Sequence, residues 1–149
     1  MKLVRFQAIL ALLTIFLPIR DISADVTTNL DASQAILLPS ATRTTEQLVK
    51  VSTPLGLRCG HVIINVTAYT AGSLTPHIQV FDPGASNYYD ILVGSAIMST
   101  GKTVLKVCPG ITALANGAAS DMLPLNWRLQ MAVGSADSIT YSASMELVK

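Results

Sequence analysis

A chain of 149 residues that is 50% hydrophobic, 13% charged and close to neutral at a net charge of +1 has room for one domain plus an appendage, and a core of that size needs no metal to hold it. Its Lys and Arg residues are scattered without a basic run, which removes the phosphate-neutralising footprint of a nucleic-acid partner. So low a charge fraction implies surface covered by a partner, an apolar segment that inflates the count, or both.

Residues 1–24 have the layout of an export signal: Lys2 and Arg5, an apolar stretch from Ala8 to Leu17, then Pro18 and the small-residue end Ile22-Ser23-Ala24 before Asp25. The stretch is too short for a membrane span of about 20 apolar residues. It is expected to be a cleaved signal, a retained docking element, or an artefact of the chosen start codon, and Arg20 and Asp21 weaken the match to a signal. Residues 25–53 are rich in Ser, Thr and Ala, with little large apolar content except at 35–38 and 48–51. This composition predicts an extended arm with one or two strands, which needs a host surface in its own sheet or on a neighbouring subunit.

Residues 54–149 are expected to form the folded domain. The predicted strands are 61–69, 77–82, 88–97, 102–107, 127–133 and 139–148, separated by turn signals such as Ala71-Gly72-Ser73 and Asp82-Pro83-Gly84. Residues 61–69 are dense in β-branched side chains. In 139–147, Ile139, Tyr141, Ala143, Met145 and Leu147 alternate with Thr140, Ser142, Ser144 and Glu146, the pattern of a sheet with one face in and one out. The Ala-rich stretch 111–122 is broken by Asn116-Gly117 and closed by Pro124, so it is expected to be a long loop with at most one helical turn. The fold class is all-β: an antiparallel β-sandwich or jelly-roll-like domain with an extended N-terminal arm.

No side-chain set predicts a reaction. Gly101-Lys102-Thr103 lacks the earlier glycine of a phosphate loop, with Ala96 in its place. His61 and His77, the two histidines, begin strands with no Cys, Asp or Glu at ligand spacing. Asp82, Asp90, Asp121 and Asp137 stand beside predicted turns and are expected to cap them. The sequon Asn65-Val66-Thr67 falls inside a predicted strand, where a chance match is the simpler account. Cys59 and Cys108 are expected to be two buried apolar thiols, with a single disulfide as the alternative in an oxidising compartment. Trp127 is expected to anchor the core, and Arg128 to project to the opposite face and pair with a carboxylate there or on a partner. No cofactor, metal or small-molecule substrate is expected.

Several short stretches, in order, resemble a family of small structural proteins encoded beside capsid genes in tailed bacteriophages and prophages. They are LLPSATRT at 37–44, VIINVTA at 62–68, IQVFDPG at 78–84 with NYYDIL at 87–92, TVLKVCPG at 103–110, and AASDMLPLNWR at 118–128 with SITYS at 138–142. The resemblance implies a virion component, a head decoration or cement protein that sits on the outer capsid surface, binds the major capsid protein and clusters as a homo-oligomer, with a trimer favoured. On this reading Leu37, Leu38, Arg43 and Arg128 are interface candidates, and deletion through Thr45 is expected to leave a folded domain. The export-like N-terminus departs from a protein assembled in the host cytoplasm. The alternatives are a tail or head-fibre component, and a secreted β-sandwich binding module cleaved after Ala24.

Overall fold

The computed structural model describes residues 26–29, 34–134 and 138–148. The N-terminal segment 1–24 and Asp137 lie outside them. The strands are β1 (Val26–Asn29), β2 (Gln34–Arg43), β3 (Gln47–Ser52), β4 (Cys59–Tyr69), β5 (Leu74–Asp82), β6 (Asn87–Val93), β7 (Gly101–Val107), β8 (Ala118–Ala119), β9 (Asn126–Val133) and β10 (Ile139–Val148), and no helix occurs among the described residues. They form two five-stranded sheets, ordered β1-β3-β9-β5-β6 and β2-β10-β4-β7-β8. The protein is an all-β sandwich.

The β-branched run of β4 and the alternation of β10 place Val62, Ile64 and Val66 beside Tyr141, Ala143 and Met145 on one inner face. Ile78, Trp127, Leu129 and Met131 of the other sheet close over them. Such pleated alternation is how two inner faces interdigitate into one core. Trp127 is fully enclosed, and its indole Nε1 donates to Thr53 Oγ1 at 2.9 Å. A buried ring nitrogen without that acceptor would carry an unpaid desolvation cost.

The interior strand pairings are antiparallel, but β1 runs parallel to β3 and β8 parallel to β7. Both follow from connectivity. Between β1 and β3 the chain crosses to the other sheet to lay down β2, and between β7 and β8 it loops through residues 108–117, so in each case it returns in its original direction.

The expected arm is part of the sandwich. β2 pairs with β10 and β3 with β9, so of the two host surfaces the segment uses its own sheets. Leu37 and Leu38 are 2% and 4% exposed and contribute to the core rather than to an outside interface. Two adjacent residues face inward because β2 bulges there: Leu38 lies opposite Ala143 and Ile36 opposite Ser144, leaving Leu37 as the extra residue. Deletion through Thr45 therefore removes a core strand and is expected to unfold the domain.

Arg43 is also engaged within the chain. Its Nη2 donates to Pro39 O at 2.7 Å and its Nη1 to Tyr141 O at 2.8 Å and Ala41 O at 3.2 Å. The guanidinium lies over the Tyr141 ring, 4.6 Å from its centroid. It closes the end of β2 on β10 and is satisfied there.

Tyr141 is fully buried, and its hydroxyl finds no hydrogen-bond partner among the described residues. Burial pushes its phenol far above its ordinary value, against the opposing pull of Arg43. Tyr141→Phe removes an unsatisfied donor while keeping the ring beneath Arg43, and is expected to raise stability by about 1 kcal/mol in denaturant unfolding at neutral pH. The raised value also sets a sign with pH. The unfolded phenol ionises above about pH 10 while the folded one keeps its proton, so stability falls by up to about 1.4 kcal/mol per pH unit above that point. Denaturation midpoints from neutral pH to pH 11 should show a shallower decline for Tyr141→Phe than for the parent.

Candidate functional site

The outer face of the β9 sheet gathers the densest set of fixed polar and aromatic side chains. The register sets Arg128 of β9 beside Gln79 of β5, Gln79 beside Asp90 of β6, and Phe81 beside Tyr88. Because alternate residues share a face, Arg128, His77, Gln79, Phe81, Tyr88 and Asp90 all point away from the core. Arg128 Nε donates to Gln79 Oε1 at 2.6 Å, and Gln79 Nε2 donates to Asp90 Oδ1 at 2.8 Å. His77 Nδ1 approaches the same carboxylate oxygen at 3.1 Å. The Arg128 guanidinium lies 3.9 Å from the Tyr88 ring centroid, and Tyr88 in turn packs on Phe81 at 5.2 Å between centroids.

Two expectations are corrected here. Arg128 does project to the face opposite Trp127, but its direct partner is the amide oxygen of Gln79, with the carboxylate one residue further on. Asp90, expected to cap a turn, lies within β6 and joins His77 to Gln79. Asp82 and Asp121 do cap: their Oδ1 atoms accept from Gly84 N at 2.8 Å and Met122 N at 2.7 Å. His77 thus has a carboxylate beside it that sequence spacing did not reveal, because a hairpin and a bulge bring Asp90 across thirteen residues.

The network is rigid by construction. Gln79 is 7% exposed, so removing Arg128 leaves a nearly buried amide oxygen without its donor. Arg128→Ala is expected to cost about 1–2 kcal/mol of stability. A double-mutant cycle with Gln79→Ala should return a coupling of about 1 kcal/mol by denaturant unfolding, whereas additive losses would mean the contact contributes nothing.

The outer face of the β10 sheet differs in character. Ile36, Ser144, Ile63 and Val104 lie side by side across four strands. Ile36 is 70% and Val104 41% exposed, and a shallow groove of about 310 Å³ runs over Ile36, Ile63, Ser144 and Glu146.

At one end of that face Cys59 and Cys108 are joined by a disulfide that spans 49 residues of sequence. This corrects the expectation of two free thiols. Gly60 is paired with Val107 in antiparallel register, so the residues just beyond them, Cys59 and Cys108, are placed opposite each other. His61 lies on the same face as Cys59, and its ring and the two sulfurs offer ligand atoms all within 4.8 Å of one another. The expectation that neither histidine had a cysteine within ligand reach is corrected with it.

No family model and no curated protein matches this chain. Among solved structures the fold is similar to Aeromonas hydrophila PliG, a periplasmic lysozyme inhibitor of g-type lysozyme, at 12% identity and a TM-score of 0.37, covering 84% of this chain and 100% of that one. A likeness of that size carries no argument about function.

Proposed function

We propose that this protein is a non-enzymatic structural component of a tailed-bacteriophage particle, a head decoration or cement protein that docks its sheet faces on the outer capsid and on copies of itself. The observation that carries the reading is the Arg128 face. Its convergent polar groups are held by one another on an outer sheet face, which suits a fixed surface for a protein partner better than proton transfer on a small substrate. Arg and Tyr are the residue types enriched where interfaces concentrate binding energy. The apolar row of Ile36, Ile63 and Val104 gives the opposite face area to bury against a second partner, as a protein that fastens neighbours requires. The phage-like motif stretches supply the biological setting. The partners on this reading are the major capsid protein and further copies of the chain, with a trimer favoured.

A second reading is favoured by the disulfide. Such bonds persist in oxidising surroundings, which include cell exteriors, periplasm and virion surfaces. A secreted β-sandwich binding module, cleaved after Ala24, would have the same bond.

Gradient-purified particles from the producing culture, analysed by quantitative peptide mass spectrometry, separate the two readings. Copies comparable to the major capsid protein support decoration, and a handful per particle shift the assignment to tail or head fibre. Absence from particles, with a chain starting at Asp25 in the medium, would overturn the virion reading in favour of the secreted module.

A further inference from the structure

We propose that Cys59, Cys108 and His61 form a redox-gated binding site for a thiophilic divalent cation of the Zn2+ type, closed while the disulfide is intact and opened by its reduction. The inference is independent of the virion and secreted readings. It rests on placement. The disulfide joins two neighbouring strand ends on the outer face of the β10 sheet, and the histidine two residues after Cys59 shares that face. The three ligand atoms already lie within 4.8 Å of one another. Zinc holds thiolates at about 2.3 Å and imidazole nitrogen at about 2.0 Å in a tetrahedral arrangement, so these three donors stand about 3.5–3.8 Å apart.

The surroundings suit such a site. Both cysteines and His61 line a cavity of about 540 Å³ bounded by Gly56, Arg58, Pro109 and Ile111. That leaves space for water at the fourth coordination position, the open vertex of a three-ligand zinc site. In the register His61 lies between Glu146 of β10 and Lys106 of β7.

The chemistry balances in two steps. A dithiol reductant gives up two electrons and two protons and becomes a disulfide, while the Cys59–Cys108 bond breaks and both sulfurs become thiols. The cation then displaces one proton from each thiol and takes two thiolates and the His61 lone pair; no electron moves in this second step. Reoxidation by another disulfide expels the metal.

The test uses the full chain, reduced and freed of reductant without air, and titrated with Co2+ as a visible probe. The expected result is tetrahedral d–d bands with thiolate-to-cobalt charge transfer, saturating at one Co2+ per chain and bleached by Zn2+, with no bands in the oxidised protein. His61→Ala should keep the fold, shift the d–d bands and weaken Co2+ by more than about tenfold, while Cys108→Ser should weaken the charge-transfer band by leaving one thiolate on the metal. Three results would each overturn the proposal. They are a reduced, folded chain with no tetrahedral bands, a half-equivalent endpoint that marks cysteines bridging two chains, and a titration unchanged by His61→Ala. Far-ultraviolet circular dichroism during the titration adds a fourth. Loss of the β-sheet signal in the metal-loaded state would mean that the ligands bind from an unfolded chain, and would overturn it as well.

Discussion

Trp127→Ala is expected to lower the unfolding free energy by about 3–5 kcal/mol. Trp127 is the bulkiest of the fully enclosed side chains, and it sits on β9, the strand flanked by β3 and β5 at the centre of its sheet. Truncation removes its contacts with the facing sheet and opens a cavity that the surrounding strands, fixed by ladders on both sides, cannot collapse to fill. It also leaves the Thr53 hydroxyl, itself buried, without its partner. Trp127→Phe restores most of the ring volume but not the hydrogen bond, and should recover about half of the loss. Denaturant midpoints of the three proteins check the ordering. A Trp127→Ala midpoint within about 1 kcal/mol of the parent would mean that the ring is not packed as described.

The double replacement Cys59→Ser/Cys108→Ser should cost about 4 kcal/mol by the loop-entropy relation applied to a 49-residue separation. The bond ties β4 to the end of β7, and so constrains an unfolded chain across the β5-β6 hairpin and everything else between these strands. Parallel unfolding of the oxidised parent, the reduced parent and the double variant separates the cross-link from side-chain packing. The reduced parent and the double variant should agree within about 1 kcal/mol without metal. Oxidised and reduced parents of equal stability would show that the bond does not form in the protein.

Much of the sandwich was legible from β-branching, alternation and turn residues. The expected strand at 61–69 is found as Cys59–Tyr69, 102–107 as Gly101–Val107, 127–133 as Asn126–Val133, and 139–148 with its bounds unchanged. Period-two patterning announces a strand that is buried on one side, and these four are of that kind. It is silent about partners. Residues 34–52 look poor in core material taken alone, yet β2 and β3 join opposite sheets because their neighbours, β10 and β9, lie some ninety residues downstream. The adjacent Leu37 and Leu38 break the alternation, and only a bulge explains why both face inward. Of the candidate site residues, Arg128 was found by its spacing from Trp127. Gln79 and Asp90 were missed because their significance lies in cross-strand register, which spacing along one strand cannot report, whereas the Cys59-Gly60-His61 spacing was visible in the sequence and only the approach of Cys108 to it needed the register. Short edge strands such as Ala118–Ala119 carry no pattern at all.

The position of β10 bears on when this protein becomes a protein. β10, the latest of the described strands in sequence, is an inner strand of its sheet, with the early strand β2 on one side and β4 on the other. Until the ribosome has released residues 139–148, β2 has no neighbour, and the strip of β4 that β10 will cover stays open. Closure of this sheet therefore waits for residues 139–148 and depends on pairings distant in sequence, the slow and exposed kind. Among the described strands one antiparallel pairing, the β5-β6 hairpin, joins strands adjacent in sequence. Loss of residues 139–148 would leave β2 without its neighbour and uncover one side of β4.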